Sequence, residues 1–495
     1  MTNKTVSLFD IVKLKDNPEL SKKYISYLCG FKDGHEYRHD EVVAISSMIK
    51  IINLDVESAQ GFLYGYEIPQ LNKEFDLLKI TPTKCLNVEI KAHSVSREKI
   101  KKQLLENKHF LTMLDIPLTL ISFDAETNTF YELTEENELE IIESTLLAFL
   151  ITLYEKAADI DLDSLFKPSN ILVSPLNEPD RFYEHHYLLT EHQENIKNAI
   201  LMLIDDSVEQ RFFGLYGGPG TGKTLLLFDI AFDIARSGKS VLVVHSGIMC
   251  HGHQTLGSKL ENLKIVEAKA LRYRELKGYD VVVIDESQRI YISIMEKIER
   301  WVNKAHKKCI FSFDEAQKMS KSENRRDTPS LIKNLCTEKY LFKLTNKIRT
   351  NKEIALFITC LRDLSKYRKD YFFENISIQF EPDKDKAVAI AKESEKGGYK
   401  YISYTSSYYD PALDYQESDF NTHRVIGQEF DGVVMVLNDR FYYEGSILSA
   451  LQHPNSDYLY TQLLYQGLTR ARTRLKLIIQ TEDILDKIMI LFGKN

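Results

Sequence analysis

The stretch Gly217–Thr224 reads GGPGTGKT and decides the fold of most of this chain. It satisfies the pattern G-x-x-x-x-G-K-[ST], and it stands where that pattern has a physical meaning. Arg211–Tyr216 before it has the length and apolar character of a buried strand, and Leu225–Arg236 after it predicts a largely apolar helix that ends near Gly238. When a strand is followed by a glycine loop and then by the N-terminus of a helix, backbone N–H groups and the helix dipole point at a phosphate bound in the loop.

The loop therefore predicts a nucleoside triphosphate ligand, ATP with Mg²⁺. Lys223 would reach the β- and γ-phosphates, and the Thr224 hydroxyl would ligate Mg²⁺. The nucleotide contacts that we expect from this stretch are Gly217, Gly218, Pro219, Gly220, Thr221, Gly222, Lys223 and Thr224.

An acidic pair downstream indicates what happens to the nucleotide. Asp280–Ile284 (DVVVI) is a β-branched run without alternation, which is typical of a strand buried on both faces of a parallel sheet. It leads into Asp285 and Glu286. We expect Asp285 to hold Mg²⁺ and Glu286 to polarise the water that attacks the γ-phosphate. The predicted chemistry is hydrolysis of the triphosphate.

Further segments, together with the phosphate loop, resemble the ordered motifs of superfamily 1 helicases over residues 189–472. These segments are Leu189–Gln193, Cys309–Phe313 leading into Asp314–Gln317, Leu344–Arg349, Thr422–Asp431 and Leu468–Arg472. The resemblance implies two RecA-like lobes with ATP between them, and a single nucleic-acid strand crossing both.

The same resemblance implies roles for individual residues. Gln193 would read the adenine, and Gln317 would sense the γ-phosphate and link it to the nucleic-acid track. Arg349 would contact phosphate, and Glu429 belongs to the nucleotide-binding set of the fifth motif. Arg470 would complete the ATP site from the second lobe, because an arginine supplied across a cleft stabilises the charge of phosphoryl transfer.

The first 160 residues predict a different chemistry. Glu74–Ile80 and Leu86–Lys91 form the two strands of a predicted hairpin, with a turn between them. Glu89 and Lys91 lie on one face of their strand because the side-chain period is two. With Asp76 on the partner strand, they predict a site for one or two divalent metals and a lysine near the attacking water.

This arrangement resembles the PD-(D/E)xK nuclease core, which implies cleavage of nucleic acid with Mg²⁺ or Mn²⁺. The family also has a flanking helix with a polar residue, and Arg97–Met113 with Gln103 is similar to it. Glu41 and Glu67 are additional candidate ligands. The alternative is a nuclease fold that only binds.

Composition predicts a globular, cytoplasmic chain of three domains, with 43% hydrophobic and 27% charged residues and neither an apolar signal stretch nor a membrane-length run. The six cysteines form no C-x-x-C pair and are expected to be reduced thiols. The spacing of Cys250 and His253 does not favour zinc, because a second ligand pair is missing.

The predicted fold class is α/β: a restriction-endonuclease-like domain at 1–160, a proline-bearing linker at 161–184, and RecA-like lobes at 185–340 and 341–495. A helix is expected over Leu139–Ala157. The net charge of −8 does not exclude binding of nucleic acid, because the local charge of a binding groove on the protein matters more than the charge of the whole chain. Residues 91–108 carry six Lys or Arg against two Glu, which predicts either a phosphate contact or a solvated helix face.

Together these patterns predict a nuclease–helicase fusion that hydrolyses ATP and acts on nucleic acid, with DNA favoured over RNA and the choice between them left open by the sequence. The combination resembles bacterial defence against phage or foreign DNA. An ATPase switch, or a repair translocase, with a non-catalytic first domain is the alternative. Whether the chain works as an oligomer or with a partner protein stays open.

Overall fold

A computed structural model describes residues 4–31, 37–68, 73–154, 173–205, 209–345, 351–369, 371–406, 409 and 418–493. The chain divides into two compact units, Met1–Ile171 and Leu172–Asn495. Both units combine helices with β-sheet, so the predicted α/β class is confirmed. The second unit contains two parallel sheets, as expected for RecA-like lobes.

The first unit is built on one six-stranded sheet in the order β1-β2-β3-β4-β5-β6. Only β3 and β4 pair in parallel, and the other neighbours are antiparallel. The strands are β1 Leu63–Ile68, β2 Lys73–Thr81, β3 Lys84–Lys91, β4 Leu118–Asp124, β5 Thr129–Leu133 and β6 Leu139–Ile142. The α-helices described in this unit are Leu8–Val12, Pro18–Cys29, His39–Ile51, Arg97–Leu111 and Ser144–Thr152.

Two predictions for this unit have opposite outcomes. The hairpin is confirmed, because β2 and β3 pair antiparallel through Thr81 and Lys84. The long helix predicted over Leu139–Ala157 is wrong at its start. Leu139–Ile142 pairs with β5 as an edge strand, and the helix begins only at Ser144. The backbone N–H and C=O groups of Leu139–Ile142 form hydrogen bonds with β5 instead of the hydrogen bonds within a helix that the sequence pattern predicted.

The second unit holds a six-stranded parallel sheet in the order β12-β7-β11-β10-β8-β9 and a four-stranded parallel sheet in the order β13-β18-β15-β14. A separate hairpin joins β16 and β17. The strands are β7 Phe212–Gly217, β8 Val241–His245, β9 Leu263–Glu267, β10 Val281–Asp285, β11 Lys308–Phe313, β12 Leu341–Leu344, β13 Ile376–Phe380, β14 Tyr399–Tyr401, β15 Phe430–Leu437, β16 Phe441–Glu444, β17 Ile447–Ala450 and β18 Ala471–Ile479.

Helices cover the faces of both parallel sheets, as crossover connections require. The α-helices described in the second unit are Pro179–Tyr183, Glu191–Asp205, Lys223–Arg236, His251–Gly257, Ile292–Ala305, Lys321–Arg326, Thr328–Cys336, Lys352–Arg362, Lys384–Lys396, Tyr460–Leu468 and Glu482–Met489. The helix Lys223–Arg236 is buried along most of its length in the core of the first lobe, which explains its nearly all-apolar sequence.

The boundaries of the first lobe differ from the predicted 185–340 at both ends. Leu341–Leu344 pairs with β7 at the edge of the first sheet. At the other end, Val173, Leu176 and Phe182 are buried in the core of this lobe. The described part of the predicted linker is therefore folded onto the first lobe, because its apolar side chains are buried in the core of that lobe.

No helix in the described residues is long and apolar enough to span a membrane. All six cysteines are free of disulfides, as the reduced-thiol prediction requires. Among the described residues, no group of three or more His, Cys, Asp or Glu side chains is arranged to hold a metal on its own.

The packing of Phe182 provides a test of the lobe's extent. Its ring stacks on Tyr187 with centroids 5.0 Å apart and meets Phe232 edge-on at 5.4 Å. We expect Phe182→Ala to destabilise the second unit by about 3–5 kcal/mol, because it leaves a cavity in a packed core. Thermal unfolding checks this, with Phe372→Ala at a position 67% exposed as the control. Equal melting temperatures for the two variants would contradict the assignment.

Candidate functional site

The predicted catalytic residues of the first lobe lie at one edge of its sheet. Because all six strands are parallel, their carboxyl ends meet there. β7 ends at Gly217, β8 at His245, β10 at Asp285 and β11 at Phe313. The phosphate loop, the acidic pair and the third motif are therefore neighbours, although the sequence separates them by up to about a hundred residues.

The phosphate loop has the geometry that its glycines predict. Gly222 precedes the helix with φ 83°, a left-handed conformation that favours glycine. Lys223 Nζ donates to the Gly218 carbonyl at 2.8 Å and lies 3.5 Å from Asp314 Oδ2. The lysine is thus held over the loop, and the carboxylate of Asp314 balances its charge.

Asp285 has the environment of a cation ligand. Its side chain is buried, and Oδ2 has no hydrogen-bond partner among the described residues. The nearest cationic candidate is His245, whose Nδ1 lies 3.4 Å from Oδ2. A buried carboxylate oxygen without a donor is costly unless a cation or water satisfies it. Together with Thr224 at the cleft, Asp285 therefore fits the predicted Mg²⁺ of Mg-ATP.

Glu286 is also buried but is surrounded by positive charge. Its Oε2 accepts from Gln288 Nε2 at 2.7 Å and from Arg289 Nε at 3.5 Å. Burial alone would raise the pKa of Glu286. Positive charge from Arg289 and Arg470, followed by Lys223, outweighs that effect, so the pKa of this carboxyl is lowered. The side chain is ionised at neutral pH, as a general base must be.

The second lobe completes the cleft with Arg470. Its Nη1 donates to the Gln428 carbonyl at 3.2 Å and its Nε to the Gln466 carbonyl at 3.3 Å. Gln317 reaches across from the first lobe, with Nε2 3.4 Å from Thr469 Oγ1. These contacts place the arginine and the glutamine of two different motifs beside each other.

One small pocket collects most of the predicted ATP residues. Its lining comprises Pro219, Gly220, Gly222, Lys223, Thr224, Glu286, Gln317, Gly427, Glu429 and Arg470. Both lobes contribute to it, as the helicase resemblance implies. Arg349, predicted to contact phosphate, lies outside the described residues.

Gln193 is placed differently from a side chain that is free to read a base. It is buried, and its Oε1 accepts from the Thr190 amide at 3.0 Å. Its Nε2 donates to the carbonyl of Thr221 in the phosphate loop at 3.1 Å. In this structure Gln193 fixes the loop, and reading of the adenine stays a prediction.

In the first unit, the predicted nuclease residues converge. Asp76 Oδ2 accepts from the backbone amide of Ile90 at 2.8 Å, which fixes it beside Glu89 on the neighbouring strand. Lys91 Nζ lies 3.5 Å from Glu89 Oε2 and donates to Gln103 Oε1 at 2.6 Å. Burial, then Glu89 and other nearby negative charge, raises the pKa of Asp76 well above its ordinary value.

The flanking helix holds this cluster in place. Gln103 Nε2 donates to Glu89 Oε2 at 2.5 Å, and Asn107 Nδ2 donates to Glu89 Oε1 at 2.7 Å. Glu41 is buried nearby, and its burial raises its pKa to about 7. Glu67 is exposed and lies opposite Glu74 toward the end of the strand pair. Glu41 thus lies near enough to Asp76 and Glu89 to affect their charge, but these three carboxylates are not arranged as a ready metal-binding group.

The basic run at 91–108 is mostly engaged within the first unit. Lys101 pairs with Glu138 at 2.7 Å, and Lys108 donates to Asn137 at 2.7 Å. Lys102 pairs within its own helix at 3.8 Å. These contacts favour the alternative, a solvated helix face, over a dedicated phosphate contact.

Three site residues carried no assigned role from sequence. Arg289 is buried between Glu286 and the second lobe, where its Nη2 lies 3.3 Å from Gln466 Oε1. Asp314 was part of a motif, but nothing in its spacing predicts the contact with Lys223. His245 ends a strand as an isolated histidine. The only available signal for Arg289 was a charged side chain directly after the acidic motif.

A second inter-lobe cavity, of about 330 Å³, combines aromatic, basic and acidic side chains, the acidic ones being Glu267, Glu323 and Asp457. The first lobe contributes Lys269, Tyr291 and Arg326 to the lining of this cavity. The second lobe contributes His423 and Tyr458. The Arg326 guanidinium lies 4.8 Å from the Tyr291 ring centroid. Burial lowers the pKa of His423 to about 3, so this imidazole is neutral at physiological pH.

Comparison with known proteins identifies a helicase-like P-loop fold in the second unit. Residues 210–431 match the family described as Schlafen group 3, DNA/RNA helicase domain. Among solved structures, the Pif1 helicase from Candida albicans is similar at 12% identity and a TM-score of 0.32, over 61% of this chain and 99% of that one. No curated protein matches.

The phosphate loop contains a matched pair of glycines that tests its packing. A Cβ at Gly217 would lie 2.5 Å from the Leu344 carbonyl oxygen, whereas a Cβ at Gly218 would meet nothing within 4 Å. We expect Gly217→Ala to destabilise nucleotide-free protein by about 1–3 kcal/mol through overpacking, and Gly218→Ala to be nearly neutral. Thermal unfolding of both variants measures the difference. A tolerated Gly217→Ala would mean that β7 and β12 are not in this contact.

Proposed function

We propose that this chain is a nucleic-acid-acting ATPase of the superfamily 1 type with a metal-dependent nuclease in its first unit. The observation that carries the ATPase is the single cleft shared by Lys223, Glu286 and Arg470. A lysine for the phosphates, an ionised carboxylate for water and an arginine from the opposite lobe are the parts that triphosphate hydrolysis requires.

In this proposal the loop amides and Lys223 bind the triphosphate, and Thr224 with Asp285 holds Mg²⁺. The cation would neutralise charge on the phosphates. Glu286 accepts the proton of the attacking water. Arg470 stabilises charge that develops in the transition state, because its guanidinium is already fixed by backbone carbonyls and needs no reorganisation.

The proposed substrate track is the cavity that contains Tyr291 and Arg326. An aromatic ring beside guanidinium groups suits a single strand, since bases stack on the ring and phosphates approach the cations. The match of residues 210–431 to a DNA/RNA helicase domain supports nucleic acid as the ligand. We propose that this nucleic acid is DNA before RNA. If the protein does not move along a strand, an ATPase switch or a repair translocase is the alternative function.

The nuclease proposal is supported by the cluster of Asp76, Glu89 and Lys91 with Gln103. Asp76 and Glu89 would hold a divalent metal, which would activate water and stabilise charge on the phosphate. Lys91 lies within reach of Glu89 and would orient the water. The fusion of such a site to a motor resembles bacterial defence against phage or foreign DNA, and we propose that setting in the cytoplasm.

The ATPase proposal predicts distinct effects for two side chains. Lys223→Ala is expected to abolish hydrolysis, because the phosphate charge loses its partner. Arg470→Ala is expected to retain nucleotide binding but slow turnover about a thousandfold, since its role is in the transition state. Steady-state ATP hydrolysis and nucleotide titration measure these effects.

Arg474→Ala is the matched control, because this exposed arginine lies in β18, which begins directly after Arg470, and donates to the Gly397 and Gly398 carbonyls. We expect wild-type turnover from it. Wild-type hydrolysis by Lys223→Ala would refute the phosphate-loop assignment. Loss of binding without loss of turnover in Arg470→Ala would refute the role of that arginine.

The nuclease proposal predicts that Asp76→Ala, Glu89→Ala and Lys91→Ala each eliminate Mg²⁺- or Mn²⁺-dependent cleavage while ATP hydrolysis persists. The first two remove metal ligands and the third removes the group that positions water. Cleavage of single-stranded DNA, duplex DNA and RNA, with and without ATP, is the measurement. Glu140→Ala, at an exposed position of β6 in the same sheet, is the control, whereas Glu67→Ala is expected to give only a smaller loss. If wild-type protein cuts none of these substrates, the binding-only first unit is the better account.

A further inference from the structure

The segment Val173–Glu178 occupies an unexpected position in the second unit. It is where the chain enters that unit from the first, since the two units divide between Ile171 and Leu172. Sequence analysis assigned it to a linker. In the structure it contacts both lobes of the ATPase, immediately behind the pocket that holds the predicted ATP residues.

On the first lobe the segment is fixed by close packing. Val173 is fully buried and Leu176 is nearly so. The Leu176 carbonyl lies so close to the helix at Gly252 that a Cβ there would approach its oxygen to 2.0 Å. Cys250 Sγ lies 3.9 Å from the same oxygen. This side of the contact leaves no room for the segment to slide.

On the second lobe the contacts are polar and involve the fifth and sixth motifs. The Glu429 amide donates to Asn177 Oδ1 at 3.3 Å. Glu178 Oε2 lies 3.8 Å from Arg472 Nη1, and Glu429 Oε2 lies 3.4 Å from Arg472 Nε. The two glutamates therefore share one arginine, which is only 8% exposed.

Gly427 makes the junction between the two sets of contacts. A Cβ on this residue would lie 2.8 Å from Leu176 Cδ1. Gly427 and Glu429 both line the pocket of the predicted ATP residues, so the segment contacts a loop that also lines this pocket. Any movement of this loop relative to the first lobe changes its contacts with Leu176 and Asn177.

We propose that Asn177 and Glu178 are positioning residues of the ATP site, which set the second-lobe loop Gly427–Glu429 against the first lobe. This inference rests on the proposed ATPase function. It follows that opening of the cleft separates Asn177 from the Glu429 amide and Glu178 from Arg472. The state of the nucleotide site is thereby registered by the segment that leads to the first unit.

The contact between Asn177 and the Glu429 amide can be measured without ATP hydrolysis. Hydrogen exchange of the Glu429 amide in nucleotide-free protein reports its bond to Asn177 directly. We expect Asn177→Leu to speed that exchange about fivefold, the equivalent of one net hydrogen bond. Asn177→Asp keeps an acceptor oxygen and is expected to restore protection. Unchanged exchange in Asn177→Leu would overturn the proposal whether or not the protein hydrolyses ATP.

Kinetics then test the positioning role. The pair Asn177→Leu with Glu178→Gln is expected to raise KM for ATP about fivefold while kcat stays within about twofold. A merely structural loss would instead lower the melting temperature and kcat together. Glu184→Gln, an exposed acid a few residues on, is the matched control and should change neither value.

The outcomes separate this inference from the proposed function. A wild-type protein with a protected Glu429 amide but no ATP hydrolysis would refute the ATPase and with it the positioning role, while leaving the contact itself. Active wild-type protein whose paired variant keeps the wild-type KM would refute the positioning role alone. A raised KM that Asn177→Asp reverses would support it.

Discussion

The close approach of the phosphate loop to its neighbouring strands is the constraint on which the second unit depends. Gly217 leaves no space for a side chain against Leu344, and Gly222 must adopt a left-handed backbone before the helix can start. These two positions let a largely apolar helix enter the core directly behind the glycine loop. The loop can therefore bind phosphate only because the helix behind it is fully packed.

Charge balance in the cleft follows from the same packing. Lys223, Glu286 and Arg289 are all buried, which would be costly for isolated charges. Each has an oppositely charged neighbour within about 3.5 Å, with Asp314 beside the lysine and the glutamate beside the arginine. The charged groups of the cleft are thus held by one another, which is the kind of fixed arrangement that the proposed ATP hydrolysis would use.

The cluster in the first unit is organised by amide donors together with the Lys91 ammonium, which lies 3.5 Å from Glu89 Oε2. Gln103 and Asn107 on one helix donate to the two oxygens of Glu89, while a backbone amide holds Asp76. Neutral donors orient the carboxylates without neutralising them. A concentration of negative charge with fixed geometry is what a divalent metal needs, and it is the physical basis of the nuclease proposal.

The sequence by itself determined the local chemistry of this protein. GGPGTGKT with its flanking apolar runs predicted a strand, a loop and a helix, and the period of two in a strand predicted that Glu89 and Lys91 share one face of theirs. Only the tertiary structure decided which distant groups meet. Arg289, Asp314 and Asn177 act through partners far away in the chain, and Leu139–Ile142 became a strand because β5 was there to pair with it. Such contacts arise from packing between elements, which no local pattern encodes.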